Sequence, residues 1–186
     1  MCYNIYGDSM DVKLIKYVKV NKDNFETAYS IQKQIWPDEP DYQNFKDKSQ
    51  SDNIDNISWI VLYNNESIGV TGIFTADFDK ETIWLDWYGV LPQYRNKGFG
   101  KKILLDTIEY CRGLNKYEYL RLDTIYWEGR PAISLYDSVM SFKEKYTIED
   151  EEKFHNYWIY TYSLKGKKEP WNNRYLGLNK YYEACK

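Results

Sequence analysis

Two glycines, Gly98 and Gly100, stand among three cations, Arg95, Lys97 and Lys101. An apolar run, Ile83 to Val90, precedes them and an amphipathic run follows. A strand is therefore expected to end here, a short turn to intervene, and a helix to begin. Unpaired backbone N–H groups gather at a helix start, where the helix dipole is positive. Such a place binds phosphate. Gly98 and Gly100 let the backbone approach a ligand with no Cβ in the way, and the three cations add charge.

Two familiar phosphate loops fit poorly. A dinucleotide-binding fingerprint needs a third glycine where Ile103 stands, and a Walker loop needs a Gly-Lys-Ser/Thr ending. The neighbouring elements narrow the reading further. Alternation over Val12 to Val20 predicts a strand, and Phe25, Ala28, Ile31 and Ile35 recur at helical spacing over Asn24 to Ile35. Asp23 and Glu26 have the spacing of a capping box, and Pro37 stops the helix. A second helix is expected over Tyr42 to Ser49. Strands follow over Ser58–Tyr63, Ser67–Phe74 and Thr82–Val90, with a turn at Asn64-Asn65 and an acidic loop from Ala76 to Glu81. After the glycines come a helix from Phe99 to Arg112 stopped by Gly113, a strand from Tyr117 to Thr124, and a helix from Arg130 to Met140. Two strands close the series, Phe142–Ile148 and Asn156–Leu164. The expected order is βααβββαβαββ, an α/β fold with a mixed sheet of about seven strands and flanking helices. Residues 1–11 read as a leader, 12–164 as one domain, and 165–186 as an extension with a short helix near Leu178 to Ala184.

Composition limits the function classes. The chain has 186 residues, 43% of them hydrophobic, enough for one packed core. Its net charge of -3 argues against nucleic acid as a partner, which needs clustered positive charge. Three scattered cysteines and one histidine, His155, offer no metal-ligand spacing, so no metal is expected. The cysteine usage fits a reducing, cytoplasmic compartment. No apolar run approaches a membrane span, so no membrane partner is expected.

The pattern Val90-x-Pro92-x-x-Arg95-x-x-Gly98-x-Gly100, placed after a strand and before an amphipathic helix, resembles the acetyl-CoA-binding motif of the GCN5-related N-acetyltransferase (GNAT) superfamily. Ala132-Ile133-Ser134-Leu135-Tyr136 resembles that family's later Ala-x-x-Leu-Tyr motif. The predicted element order also matches the family fold. The chain departs from the pattern at Gly129, where Asn is frequent, and after Tyr136, where the run to Phe142 is one residue longer.

The resemblance implies an acetyl-CoA-dependent N-acetyltransferase with acetyl-CoA as co-substrate and a primary amine as acceptor, by direct attack. Backbone N–H groups of Asn96, Lys97, Gly98, Phe99, Gly100 and Lys101 would bind the pyrophosphate, assisted by Arg95. Tyr88, Gly89 and Val90 would pair with the pantetheine as an added strand. Tyr136 would serve the leaving thiolate as general acid. Asp86, four residues before Val90, would be general base, with Asp123 as its rival. At period two Asp86 shares a face with Trp84, Tyr88 and Val90, an aromatic setting that suits a base. Asp38, Glu39 and Asp41 in one loop, and Glu149 to Glu152 in another, would form acidic rims that attract a cationic small molecule, with Trp36 and Trp127 as aromatic walls. The alternative is a non-catalytic acyl-CoA-binding sensor or interaction domain of the same fold. The reading leaves a homodimer open.

Overall fold

The computed structural model describes residues 15–38, 41–77, 79–125, 132–149, 154–167, 169, 171 and 182–185. The expected leader, the acids 150–152, Glu39 and Trp127 lie outside the described residues, as do the side chains of Glu149 and His155.

The first strand, β1 (Ile15–Lys19), leads into helices α1 (Phe25–Ile35) and α2 (Tyr42–Ser49). The α1 start differs from the expected capping box. Asn24 is the N-cap, and its amide turns back, accepting from Asn21 N and donating to Lys19 O. Asp41 caps α2 by accepting from Asn44 N at 3.0 Å. An antiparallel meander follows, β2 (Ile57–Tyr63), β3 (Glu66–Ala76) and β4 (Asp79–Val90). Asn64 and Asn65 both take positive φ, 52° and 66°, as a two-residue hairpin turn requires. The expected acidic loop after β3 is mostly strand. Asp79 within it is buried against Arg121, with Nη1 and Oδ2 3.2 Å apart.

Helix α3 (Phe99–Leu114) then crosses to β5 (Tyr119–Ile125), which lies parallel to β4. The helix runs through Gly113, and Asn115 takes the left-handed φ of 50° that ends it. Helix α4 (Ala132–Val139) and the antiparallel pair β6 (Phe142–Glu149) and β7 (Phe154–Ser163) complete the expected series.

The extension departs from expectation. Tyr182–Cys185 is a strand, β8, antiparallel to β6, where a helix was predicted. The outer edge of β6 has a row of backbone groups to satisfy, and a strand satisfies them where a helix cannot. Among the described residues the sheet therefore has eight strands, in the order β1-β2-β3-β4-β5-β7-β6-β8.

Each sheet face carries its own core. Ile83, Leu85, Leu104, Ile108, Leu120, Leu122 and Tyr136 pack on the α3/α4 face. Ala28, Ile31, Phe45, Ile60, Val70 and Leu91 pack on the α1/α2 face. Farther along that second face Trp171, only 1% exposed, closes a cluster with Trp84 and Ile159. Its backbone N–H donates to the buried Glu144 carboxylate at 2.5 Å, and its ring meets Trp84 edge-on at 5.9 Å. This anchor packs Trp171 of the extension onto the second face of the sheet. Trp171→Ala is expected to cost about 3–5 kcal/mol in urea unfolding, with Trp171→Phe losing clearly less.

Candidate active site

The site begins where β4 and β5 part. They pair only over Thr82–Trp84 and Tyr119–Arg121. Beyond Trp84 the edge of β4 toward β5 carries no ladder, while its other edge stays paired with β3 as far as Val90. Unpaired extended backbone of this kind accepts an added strand. Tyr88, Gly89 and Val90 lie on this open stretch.

The turn after β4 follows from local chemistry. Pro92–Tyr94 forms one 3-10 turn, Asn96 takes φ 60°, and Gly98 takes φ 82° as the N-cap of α3. Among the described residues no side chain caps α3, which leaves its first N–H groups open to a ligand. The nearby cations are less uniform than the sequence implied. Arg95 folds back, its Nε donating to Val90 O at 3.0 Å, and Lys97 lies over the Tyr94 ring. Lys101 is exposed on the first turn, and Phe99 is buried core. Gly100 makes room for a neighbour: a Cβ there would come 3.0 Å from the Tyr88 hydroxyl. That hydroxyl donates to Gly100 O at 2.6 Å, tying β4 to the start of α3. Burial, with Tyr136 and Tyr17 close by, pushes the Tyr88 phenol well above its usual range, so it stays a donor.

The expected single face for Trp84, Asp86, Tyr88 and Val90 is not formed. Three residues of β3, from Val70 to Gly72, oppose four of β4, from Asp86 to Gly89. Trp87, at φ 35°, absorbs the extra residue as a β-bulge. Leu85 and Tyr88 consequently join the α3/α4 core, and Trp87 joins Trp36 on the other face. A period-two reading has no way to count that residue.

A cleft of about 380 Å³ opens at this parting. On the α3/α4 face it is lined by Tyr88 and Tyr136, whose ring centroids are 6.2 Å apart. Tyr136 is 7% exposed, held also by Tyr160 at 5.3 Å. On the α1/α2 face the lining is Trp36, Phe74, Asp86, Trp87, Asp123 and Tyr157. Trp36 sits edge-on to Trp87 at 5.2 Å, in the space that a Cβ on Gly89 would take from it. Tyr136 and Asp86 thus line one cleft from opposite faces, and the rival Asp123 lines it as well.

Asp86 has neighbours that the sequence did not indicate. Lys48 of α2, 5% exposed, forms an ion pair with Asp86 Oδ2, and Asn44 Nδ2 lies 3.4 Å from the same oxygen. The carboxylate expected among aromatics is therefore matched by a buried ammonium. The polar pattern of Lys46, Asp47 and Lys48 reads as a solvated face, so no local signal marked Lys48. Of the expected acidic rim, Asp41 is engaged as the α2 cap and Asp38 is exposed.

This arrangement has relatives. Residues 21–142 match the model of the acetyltransferase (GNAT) family, and the chain belongs to that family. Its fold resembles Arabidopsis thaliana NAA60 in complex with acetyl-CoA, with 19% identity, 80% of this chain and 99% of that chain covered, and a TM-score of 0.63. It also resembles the Escherichia coli ribosomal-protein-S18-alanine N-acetyltransferase, with 13% identity, coverage of 87% and 99%, and a TM-score of 0.61. A spermidine N-acetyltransferase chimera from Vibrio cholerae SpeG and hSSAT shares 11% identity over 81% of this chain and 96% of that one, with a TM-score of 0.64. No curated protein matches the chain.

The Lys48–Asp86 pair gives a direct check on the geometry. Lys48→Met leaves a largely buried carboxylate uncompensated and is expected to cost about 3–5 kcal/mol in urea unfolding. The double variant Lys48→Met/Asp86→Leu is expected to recover most of that loss, giving a large coupling in a double-mutant cycle.

Proposed function

We propose that this chain is an acetyl-CoA-dependent N-acetyltransferase that moves an acetyl group to the primary amine of a cationic small molecule by direct attack. The observation that carries the reading is the parting of β4 from β5 in front of an uncapped α3 N-terminus, in a chain of the GNAT family. The residues fit the co-substrate. Backbone N–H groups from Asn96 to Lys101 hold the pyrophosphate at the positive end of the α3 dipole. Arg95, Lys97 and Lys101 supply the surrounding charge. The open β4 edge at Tyr88, Gly89 and Val90 pairs with the pantetheine. The fold likeness to an acetyl-CoA complex supports this placement.

The reaction then divides between the two faces of the cleft. A primary amine arrives mostly protonated at neutral pH and must lose a proton before its lone pair can attack. Asp86 accepts that proton, directly or through water. The nitrogen forms a bond to the thioester carbon while a backbone N–H near Val90 stabilises the oxyanion. The C–S bond breaks with its electron pair going to sulfur, Tyr136 supplies the thiolate with a proton, and the second proton lost from the nitrogen returns through water to the tyrosinate. An alkylammonium and a thioester become an amide and a thiol, with one proton released per acetyl moved.

One observation favours a second reading, in which the domain binds acyl-CoA without transfer: Asp86 is already held by Lys48 and Asn44. Tyr136→Phe separates the two. Under the transferase reading it lowers turnover by about 100-fold or more while calorimetric acetyl-CoA affinity stays within about twofold. Unchanged turnover removes Tyr136 from the mechanism. Acetyl-CoA binding with no thiol release from the wild-type chain across a broad amine panel establishes the second reading.

A further inference from the structure

The α1/α2 half of the cleft has walls of a particular kind, and they bear on which amine enters. Phe74, Trp36, Trp87 and Tyr157 present ring surface there. Trp36 is fixed by its edge-on contact with Trp87 and by the bare Cα of Gly89 beneath it. Phe74 is fixed from behind, with the Lys48 ammonium 5.8 Å from its ring centre and Trp84 stacked at 6.4 Å. The Asp86 carboxylate in this half is matched by Lys48, whose Nζ also lies 3.5 Å from Ile73 O. The half-cleft thus combines rigid aromatic walls with two carboxylates, Asp86, which is paired with Lys48, and Asp123.

From these features we infer that the acceptor is a monocationic arylalkylamine, a primary amine on a short chain bearing a flat aromatic ring. The inference rests on the transferase reading and narrows its acceptor. The acceptor's ring packs against the Trp36–Trp87 pair and the Phe74–Tyr157 wall at ordinary aromatic spacing. Its amine reaches the parting of β4 and β5, where Asp86 and Asp123 line the cleft. A polyamine or aminoglycoside is disfavoured because it has no flat ring to pack against these walls.

The test is a thiol-release panel at saturating acetyl-CoA, run beside calorimetry of acetyl-CoA binding. It compares 2-phenylethylamine, tyramine and tryptamine with n-hexylamine, putrescine, spermidine and kanamycin. The expected result is a kcat/KM for the best arylalkylamine about tenfold or more above every member of the second group. Trp87→Leu and, separately, Phe74→Leu are expected to lower that preference by about tenfold at unchanged acetyl-CoA affinity. Two variants on different strands guard against a folding failure in one. Preference for spermidine, putrescine or kanamycin overturns the inference and leaves the transferase reading standing. Equal use of n-hexylamine also overturns it, since an apolar tail would then suffice. Acetyl-CoA binding with no thiol release from any amine overturns the transferase reading and this inference with it.

Discussion

The parting of two parallel strands governs the rest of this molecule. β4 and β5 share three residue pairs and then separate, which leaves a stretch of β4 with one hydrogen-bonding edge open. Unpaired backbone inside a sheet is costly unless something satisfies it. Here the open edge leads directly into the turn whose next element is the uncapped α3. Two unsatisfied regions of backbone, a strand edge and a helix start, are therefore continuous in the chain. A long, thin ligand with amide groups at one end and phosphates at the other matches both.

The β-bulge at Trp87 decides what surrounds that opening. By inserting one residue into β4, it sends Tyr88 to the α3/α4 face and leaves Asp86 and Trp87 toward α1 and α2. Tyr88 can then bond to Gly100 O and stand beside Tyr136, while Asp86 meets Lys48. The sheet thereby separates a half of the cleft near the glycine turn before α3 from a half walled by aromatic rings. Residues far apart in sequence carry each half: Trp36 ends α1, Phe74 lies in β3, and Tyr157 lies in β7.

Much of this was legible in the residues. Helix α2 matches its expected span, Tyr42–Ser49, and the strand–turn–helix around Gly98 follows from glycine placement and apolar periodicity. Those signals are local, since turn chemistry and amphipathic spacing act within a few residues. Two of the misreadings involve a partner distant in the chain, and a third a competing bond within one turn. Asp79 looked like loop because its buried guanidinium, Arg121, lies on another strand. The Tyr182–Cys185 segment looked helical because its partner edge on β6 is invisible to a local pattern. The capping box failed because Asn24 bonds across the turn to Asn21 and Lys19.

The sequence by itself determined the family, the order of the principal elements and the glycine turn that opens α3. A glycine at a helix start has the same physical consequence wherever the turn is placed. Only the tertiary structure decided the company each side chain keeps. It counted the extra residue at Trp87, brought a lysine from α2 to Asp86, and set Trp171 into the core. The reason is that burial and charge pairing depend on distances in space. A bulge or a strand crossing resets those distances without leaving a mark on the local sequence.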